Sequence, residues 1–417
     1  MNHVELTVDA PAAGGESVAR TEDGVIFVSG AIPGERVRVE ITQTKKSFSR
    51  GRVVEVCEPS PHRVPDRRIA WGCPDVGGVE YAHVTVEHSR ELKWLAALDQ
   101  FSRIGRFDRD LMDRFERNFR VTPPHHDEEE WRTRVQLAVT GGQIGMYRAG
   151  SHDIVPVTHV PLAVPAINDL NLHQIDLTGA ERVEIAVGDT GGAVTVVGRE
   201  EVAHKLAEVV PPEWSLMSRA AGRRNRSAGR TTLIAGAGRV SHTVRGVTFD
   251  LDAEGFWQVH PDAADILSRG VVERVRGDVV DLFCGAGLLA IMVARETGAR
   301  VWGVEGSSLA ITSARANAQR AGVEATFDVS RVEKLDALKG ADTVVVDPPR
   351  AGLDPAVIRL IEASTCKRVV YVSCDGATFS RDAQRLQNSG FECRDIQAFD
   401  LFPLTAHVEF IGSFDRV

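Results

Sequence analysis

Along this chain the spacing of apolar positions changes character twice. In the first stretch it is a period of two. Val25-Ile26-Phe27-Val28 reads as a strand, Arg36-Val37-Arg38-Val39-Glu40-Ile41 alternates polar with apolar, and Gly51-Arg52-Val53-Val54-Glu55-Val56 extends once more. Pro33-Gly34 supplies a turn between the first two. Residues 1–60 are therefore expected to form a small β-barrel of OB-like build. Residues 61–250 mix two periods. Positions 86–104 have helical spacing, with Leu92, Leu95, Leu98 and Phe101 on or near one face, whereas 131–140 and 193–197 alternate like strands. From 251 to 417 strands and helices take turns. Val301-Trp302-Gly303-Val304-Glu305, Thr343-Val344-Val345-Val346-Asp347 and Arg368-Val369-Val370-Tyr371-Val372-Ser373 are strands, and 308–320 and 379–387 are helices. Segments 393–399 and 407–411 suit an antiparallel pair at one sheet edge. Such alternation predicts an α/β fold: a Rossmann-like, doubly wound sheet preceded by the barrel and by a mixed α+β region.

The stretch that organises this last region is Asp278-Val279-Val280-Asp281-Leu282-Phe283, followed at once by Cys284-Gly285-Ala286-Gly287. Residues 288–295 then read as a buried helix. A strand, a Gly-x-Gly turn and a helix let a ligand approach bare backbone at the carboxyl end of the strand. Gly285-Ala286-Gly287-Leu288-Leu289-Ala290 meets the loose dinucleotide pattern, with Glu305 at about the distance of a ribose-binding acid. That pattern alone does not separate a nicotinamide cofactor from S-adenosylmethionine, because both present an adenosine ribose to the same crevice. Three later residues narrow the chemistry. Asp347 ends a strand and is followed by Pro348-Pro349, which cannot continue it. Cys374 ends the next strand just before a helix, where a thiol can have its pKa lowered. Glu409 lies in the last segment. A thiol and a carboxylate beside a cofactor crevice suit covalent activation of a base followed by proton removal.

Composition changes this picture little. The chain is 43% hydrophobic and 26% charged, and no apolar run approaches the ~20 residues needed to span a bilayer. The start, MNHVELTVDA, lacks a basic-then-apolar leader pattern, so a cytoplasmic location is expected. Six scattered cysteines without a C-x-x-C pair argue against a disulfide framework or a metal knuckle, and no metal site is expected. The net charge of −9 points mildly away from nucleic acid, yet phosphate attraction depends on the local field. Lys45-Lys46-Ser47-Phe48-Ser49-Arg50 reads equally well as a single-strand RNA grip and as a solvated hairpin tip. Residues 218–230 carry Arg219, Arg223, Arg224, Arg226 and Arg230 without an acid and read as a flexible loop, a solvated linker in preference to the alternative of a phosphate-contacting arm.

Two resemblances sharpen the reading. Gly14-Gly15 with Ala19-Arg20, then Ala31-Ile32-Pro33-Gly34-Glu35, then Pro59-Ser60-Pro61 with Arg63, resemble the TRAM domain, a small RNA-binding β-barrel. Residues 250–417 resemble the RNA uracil-5-methyltransferases, class I S-adenosylmethionine-dependent enzymes. The shared motifs are Phe256-Trp257-Gln258-Val259, Asp281-Leu282-Phe283-Cys284-Gly285, Gly303-Val304-Glu305, Asn317-Ala318, Asp347-Pro348-Pro349-Arg350-Ala351-Gly352, Tyr371-Val372-Ser373-Cys374, and Phe402-Pro403 with His407 and Glu409. The resemblance implies that Cys374 is the nucleophile and Glu409 the proton acceptor. It implies that Gln258, Phe283, Glu305 and Asp347 contact S-adenosylmethionine, with Gly285 and Gly287 of the glycine turn beside them. The implied partner is ribosomal or transfer RNA, the implied product 5-methyluridine, and the enzyme is expected to work as a monomer away from membranes.

The chain also departs from that pattern. Members with a TRAM domain often hold an iron–sulfur cluster on four cysteines. Here Val76-Gly77-Gly78-Val79 and Val160 stand where that pattern has cysteines, leaving Cys73, so no cluster is expected. Cys374-Asp375-Gly376 replaces Cys-Asn-Pro, which is expected to oppose thiolate formation and loosen the turn. Leu404 and Leu288 replace polar residues. Two other readings therefore stand beside the first. A nicotinamide oxidoreductase would be stabilised by nicotinamide cofactors instead of S-adenosylmethionine. A catalytically weak RNA-binding protein would hold RNA without methyl transfer.

Overall fold

The computed structural model describes residues 3–118, 121–222, 229–338 and 340–417. Strands β1 (His3–Thr7), β2 (Ala10–Pro11), β3 (Ser17–Thr21), β4 (Gly24–Ser29), β5 (Arg36–Thr44) and β6 (Phe48–Glu58) form a six-stranded sheet in the order β1-β5-β6-β4-β3-β2. The sheet curls around its own small core, in which alternate residues such as Leu6, Ile26, Val28, Val37 and Val39 meet. The Pro33-Gly34-Glu35 turn has a structural purpose. Glu35 is fully buried, accepts from the Ile32 amide at 2.9 Å, and takes two hydrogen bonds of 2.6 Å from the Arg63 guanidinium. Burial alone would raise its pKa, but the Arg63 and backbone donors hold the carboxyl below its ordinary value. Phe48 begins β6 and does not cap a free tip; it packs edge-on against Phe27 at 5.6 Å, with Lys45 and Arg50 over its ring.

Helices α1 (Arg67–Ala70), α2 (Val86–Gln100) and α3 (Arg109–Asn118) follow, and α2 runs on into a π-helical turn, Phe101–Gly105. Phe101 is fully buried and Leu92 nearly so, whereas Leu95 is 47% exposed and lies off the apolar face the spacing suggested. After β7 (Val121–Thr122) come β8 (Arg134–Thr140), β9 (Gln143–Tyr147), β10 (Ile154–Pro156), α4 (Pro165–Asn168), β11 (Ala180–Val187), β12 (Gly192–Gly198), α5 (Glu200–Leu206), β13 (Ser215–Arg219) and β14 (Thr231–Ala235). Strands β8 to β14 make a seven-stranded sheet, and a hairpin of β15 (Arg239–Val244) and β16 (Val247–Asp252) follows. Ser218 and Arg219 thus end a strand, and Arg219 is paired with Glu184 and Glu254. Arg223, Arg224 and Arg226 lie outside the described residues.

The C-terminal sheet has eight strands in the order β19-β18-β17-β20-β21-β23-β22-β7. Its members are β17 (Val279–Leu282), β18 (Val301–Glu305), β19 (Ala325–Val329), β20 (Thr343–Val346), β21 (Arg368–Ser373), β22 (Phe391–Phe399) and β23 (Glu409–Arg416), with β7 added in parallel beside β22. The antiparallel pair β22–β23 is therefore not the outer edge, because β7 covers it. Helices α6 (Ala263–Arg274), α7 (Leu288–Thr297) and α8 (Ser308–Ala321) pack on one face, and α9 (Pro355–Ala363) and α10 (Gly376–Asn388) on the other. Burial on both faces explains why β20 reads as a run of apolar residues after Thr343 and β17 as one interrupted by the buried Asp281. Sequence spacing does not follow these cores. Trp94, Phe101, Phe115 and Val121 join the α9–α10 face, and Val244, Phe249 and Leu251 join the α7 face. All of these but Leu251 fall within 61–250, so part of that span is built into the C-terminal unit.

Cys73, Val76, Val79 and Val160 meet in one buried cluster with Trp131 and Leu162. An iron–sulfur cluster does not fit there. Three of its four donors would be hydrocarbon, and burial pushes the remaining Cys73 thiol up to about 11.

Candidate active site

The sheet reverses direction of growth at β17. The chain proceeds from β17 to β18 and β19 on one side, then crosses to β20 and β21 on the other. A crevice opens at the carboxyl ends of strands at such a point. Register aligns those ends: Leu282 pairs with both Val304 and Val346, and Val346 pairs with Tyr371. Phe283, Glu305, Asp347 and Cys374 consequently emerge at one rim. The turn after β17 needs unusual backbone. Phe283 itself has φ +66, a left-handed conformation rare for a bulky residue, and its amide donates to Val304 at 2.9 Å.

A cleft of about 730 Å³ lies over this rim, a volume suited to a cofactor-sized ligand. Of the residues singled out by sequence, Gln258, Phe283, Gly285, Glu305, Asp347, Cys374 and Glu409 all line it. Gly287 does not. A Cβ there would press on Ile291, Ala314 and Phe327, so this glycine serves the packing of α7 against α8 and β19. Gln258 comes from the loop after β16, which strand β8 holds in place. Arg134 donates to the carbonyls of Ala253 and Gly255, each at 2.8 Å, and the Thr133 amide and hydroxyl both donate to the Val259 carbonyl.

Cys374 and Glu409 come together through register. Antiparallel β21 and β23 pair Ser373 with Phe410, so the next positions outward, Cys374 and Glu409, stand opposite one another. Burial, reinforced by Asp347 and opposed by Arg350, raises the Glu409 pKa well above the carboxylate range. Cys374 corrects a sequence expectation. Its position before α10 suggests a lowered pKa, but burial and the charge of Glu409 outweigh the helix terminus and push the thiol up to about 12, against the pull of Arg350. Neither does Asp375-Gly376 loosen the turn. Asp375 caps α10 by accepting from the Thr378 amide at 2.7 Å, and a Cβ on Gly376 would fall 2.2 Å from Gln100 Oε1.

Sequence reading underused three residues. Asp281 is almost fully buried; one carboxylate oxygen accepts from Ala290, and the other has no partner among the described residues. Burial, then Asp347 and Glu305, raise its pKa well above normal. Arg350 and Arg132 both line the cleft, and Arg132 also lies over the Trp131 ring at 5.2 Å. Their guanidinium charge beside a nucleotide-sized cleft is a signal that could have flagged both, but only after the fold brought residues 132 and 350 to one cleft.

The carboxylates of Asp281, Glu305 and Asp347 gather at the ends of neighbouring strands, and burial lifts Asp347 to about 7. Such a site favours a ligand that brings positive charge, as S-adenosylmethionine does through its sulfonium and ammonium groups. A dinucleotide pyrophosphate would add negative charge at the same place. The residues present therefore fit S-adenosylmethionine and disfavour a nicotinamide cofactor.

Comparison with known proteins agrees. The tRNA (uracil-5-)-methyltransferase family model matches residues 266–414, and the TRAM domain model matches residues 2–54. An uncharacterized RNA methyltransferase of Streptomyces avermitilis is 31% identical over 434 residues, covering 98% of this chain and 97% of that protein. One from Corynebacterium efficiens is 34% identical over 433 residues, covering 99% and 94%. The crystal structure of Pyrococcus abyssi tRNA (uracil-54, C5)-methyltransferase with S-adenosyl-L-homocysteine shares the fold, with a TM-score of 0.76 at 24% identity over 98% of this chain and 99% of that one. The chain belongs to the S-adenosylmethionine-dependent RNA (uracil-5-)-methyltransferase family.

Proposed function

We propose that the protein methylates C5 of a uridine in transfer or ribosomal RNA through a covalent bond between Cys374 and C6 of the base. The observation that carries this reading is the register of β21 and β23, which sets Cys374 opposite Glu409 on the wall of the carboxylate-lined cleft. S-adenosylmethionine supplies a methyl group made electrophilic by its sulfonium. Glu305 gives one carboxylate oxygen to the Ser307 amide at 2.8 Å and keeps the other for a ribose hydroxyl, while Asp347 and Asp281 offset positive charge. Uracil C5 is a poor nucleophile. The Cys374 thiolate adds to C6, C5 becomes enolate-like and takes the methyl group, whose bond to the sulfonium breaks to leave S-adenosylhomocysteine. Glu409 removes the C5 proton, and the C6–S bond breaks to return the thiolate. Arg350 favours the ionised forms of Cys374 and Glu409, both of which burial opposes.

The target base must leave its stack to reach the cleft, which suits an unpaired loop. We assign the grip on that loop to the N-terminal sheet, where Phe27 and Phe48 meet edge-on beneath Lys45 and Arg50. Transfer RNA is the favoured substrate, because both the matching family model and the Pyrococcus protein are named for it. The test is to map 5-methyluridine in separate transfer and ribosomal RNA fractions from cells with and without the gene. Loss of one transfer-RNA modification supports the reading; unchanged maps in both fractions refute it.

A further inference from the structure

A second cavity, of about 120 Å³, meets the cleft at Cys374, a residue that lines both. Its walls come from three parts of the molecule: the Gly14-Gly15 turn of the N-terminal sheet, α2 with Tyr81, and the segments around Gly376 and His407. We propose that this cavity receives one unpaired base adjacent to the target uridine. The proposal rests on the reading that the protein acts on RNA, and deepens it by adding a subsite.

Size is the first argument. At about 120 Å³ it is somewhat smaller than the ~150 Å³ that encloses benzene, but it is continuous with the cleft at Cys374, so it takes the edge of one base and not a larger group. Polarity is the second. Tyr81 is only 4% exposed and lines the cavity, and neither its hydroxyl nor the Gln100 amide bonds to another described residue. Lys93 Nζ donates to Asp400 at 2.5 Å and to the Phe402 carbonyl at 2.9 Å, leaving a third N–H. A base edge, with donors and acceptors side by side, satisfies such a wall. A bare phosphate does not, because Asp400 already balances the Lys93 charge. Placement is the third argument. Gly15 has φ +73, and a Cβ on it would lie 2.5 Å from Glu80, whose carboxylate accepts from the Ala406 amide at 3.0 Å. The RNA-gripping sheet is thereby docked against the segment that leads to Glu409, and a strand passing from one to the other crosses the cavity. Gly376 completes the wall by leaving room for the Gln100 side chain.

The test uses the full chain and a 12-nucleotide oligomer of 4-thiouridine. Irradiation should crosslink RNA to Tyr81 or to peptides of α2, as read by mass spectrometry. Ala96 of α2 lines the cavity, and Ala96→Phe, which fills it, should remove those crosslinks and weaken RNA binding at least tenfold, with S-adenosylmethionine affinity unchanged. Should Ala96→Phe lower the melting temperature, Gln100→Ala serves instead and should weaken RNA binding about threefold or more. Crosslinks confined to the cleft and the N-terminal sheet, or wild-type RNA affinity in both variants, would overturn the proposal. Crosslinks at Tyr81 together with unchanged 5-methyluridine maps in cells lacking the gene would support the subsite while removing the methylation reading.

Discussion

Cys374 and Glu409 stand opposite each other one position beyond Ser373 and Phe410, the last residues that pair β21 with β23. The sheet itself therefore sets the distance between sulfur and carboxylate. Replacing Cys374 with Ala should cut methyl transfer by at least about 10³-fold, the scale of losing a nucleophile, and leave S-adenosylmethionine affinity within about twofold. Isothermal titration and transfer of labelled methyl to RNA measure the two quantities.

The thiol is protonated at neutral pH in the free protein, since burial holds its pKa at about 12. A cation nearby lowers such a pKa. Alkylation of Cys374 by iodoacetamide at pH 7.5 should accordingly be slow alone and severalfold faster with S-adenosylmethionine. Peptide mapping separates it from Cys57, the other cysteine that is not fully buried. An unchanged or slower rate would mean that the cofactor's charge does not reach the sulfur.

Asp347 carries a stability consequence with a definite sign. Burial raises its pKa to about 7 in the fold, above the ordinary carboxylate value, so the folded state holds a proton that the unfolded chain gives up. Stability is complete below pH ~4 and is lost as pH rises towards 7, by up to about 4 kcal/mol at ~1.4 kcal/mol per unit. Asp347→Asn should melt near wild type at pH ~4 and well above it at pH ~8, both without ligand. The same variant should bind S-adenosylmethionine at least tenfold more weakly.

Arg350 opposes the burial of both Cys374 and Glu409. In Arg350→Gln both groups hold their protons to higher pH. Activity at pH 7.5 should fall about 10²-fold, and the rising limb of kcat against pH should move to higher pH. A uniform loss with the limb unmoved would assign Arg350 to RNA binding instead.

Much of the fold was legible because local chemistry repeats it. The run to Leu282 stops at a glycine turn, β20 stops at Pro348, and α8 is capped by Ser307 and ended by Gly322, each a signal confined to a few residues. What sequence could not supply depends on residues far apart. The elevated pKa values of Cys374, Asp281 and Glu409 arise from burial, which no neighbouring residue announces. Arg134 supports the Gln258 loop from 119 and 121 positions away. Val244 and Phe249 alternate as a hairpin would in any domain, and only packing assigns them to the methyltransferase core. Leu95 fits a helical stripe in sequence but faces outward, because α2 is gripped by the C-terminal sheet on a narrower face.

The covalent bond between Cys374 and the uracil ring is the claim from which the rest follows. Replacing Glu409 with Gln leaves the nucleophile and removes the acceptor for the C5 proton, so the intermediate should accumulate. The direct measurement is the mass of this variant after incubation with substrate RNA and S-adenosylmethionine, run under denaturing conditions. The account predicts a protein–RNA species that withstands denaturant and disappears when Cys374→Ala is added to Glu409→Gln. No such species, or one that persists without Cys374, would contradict it.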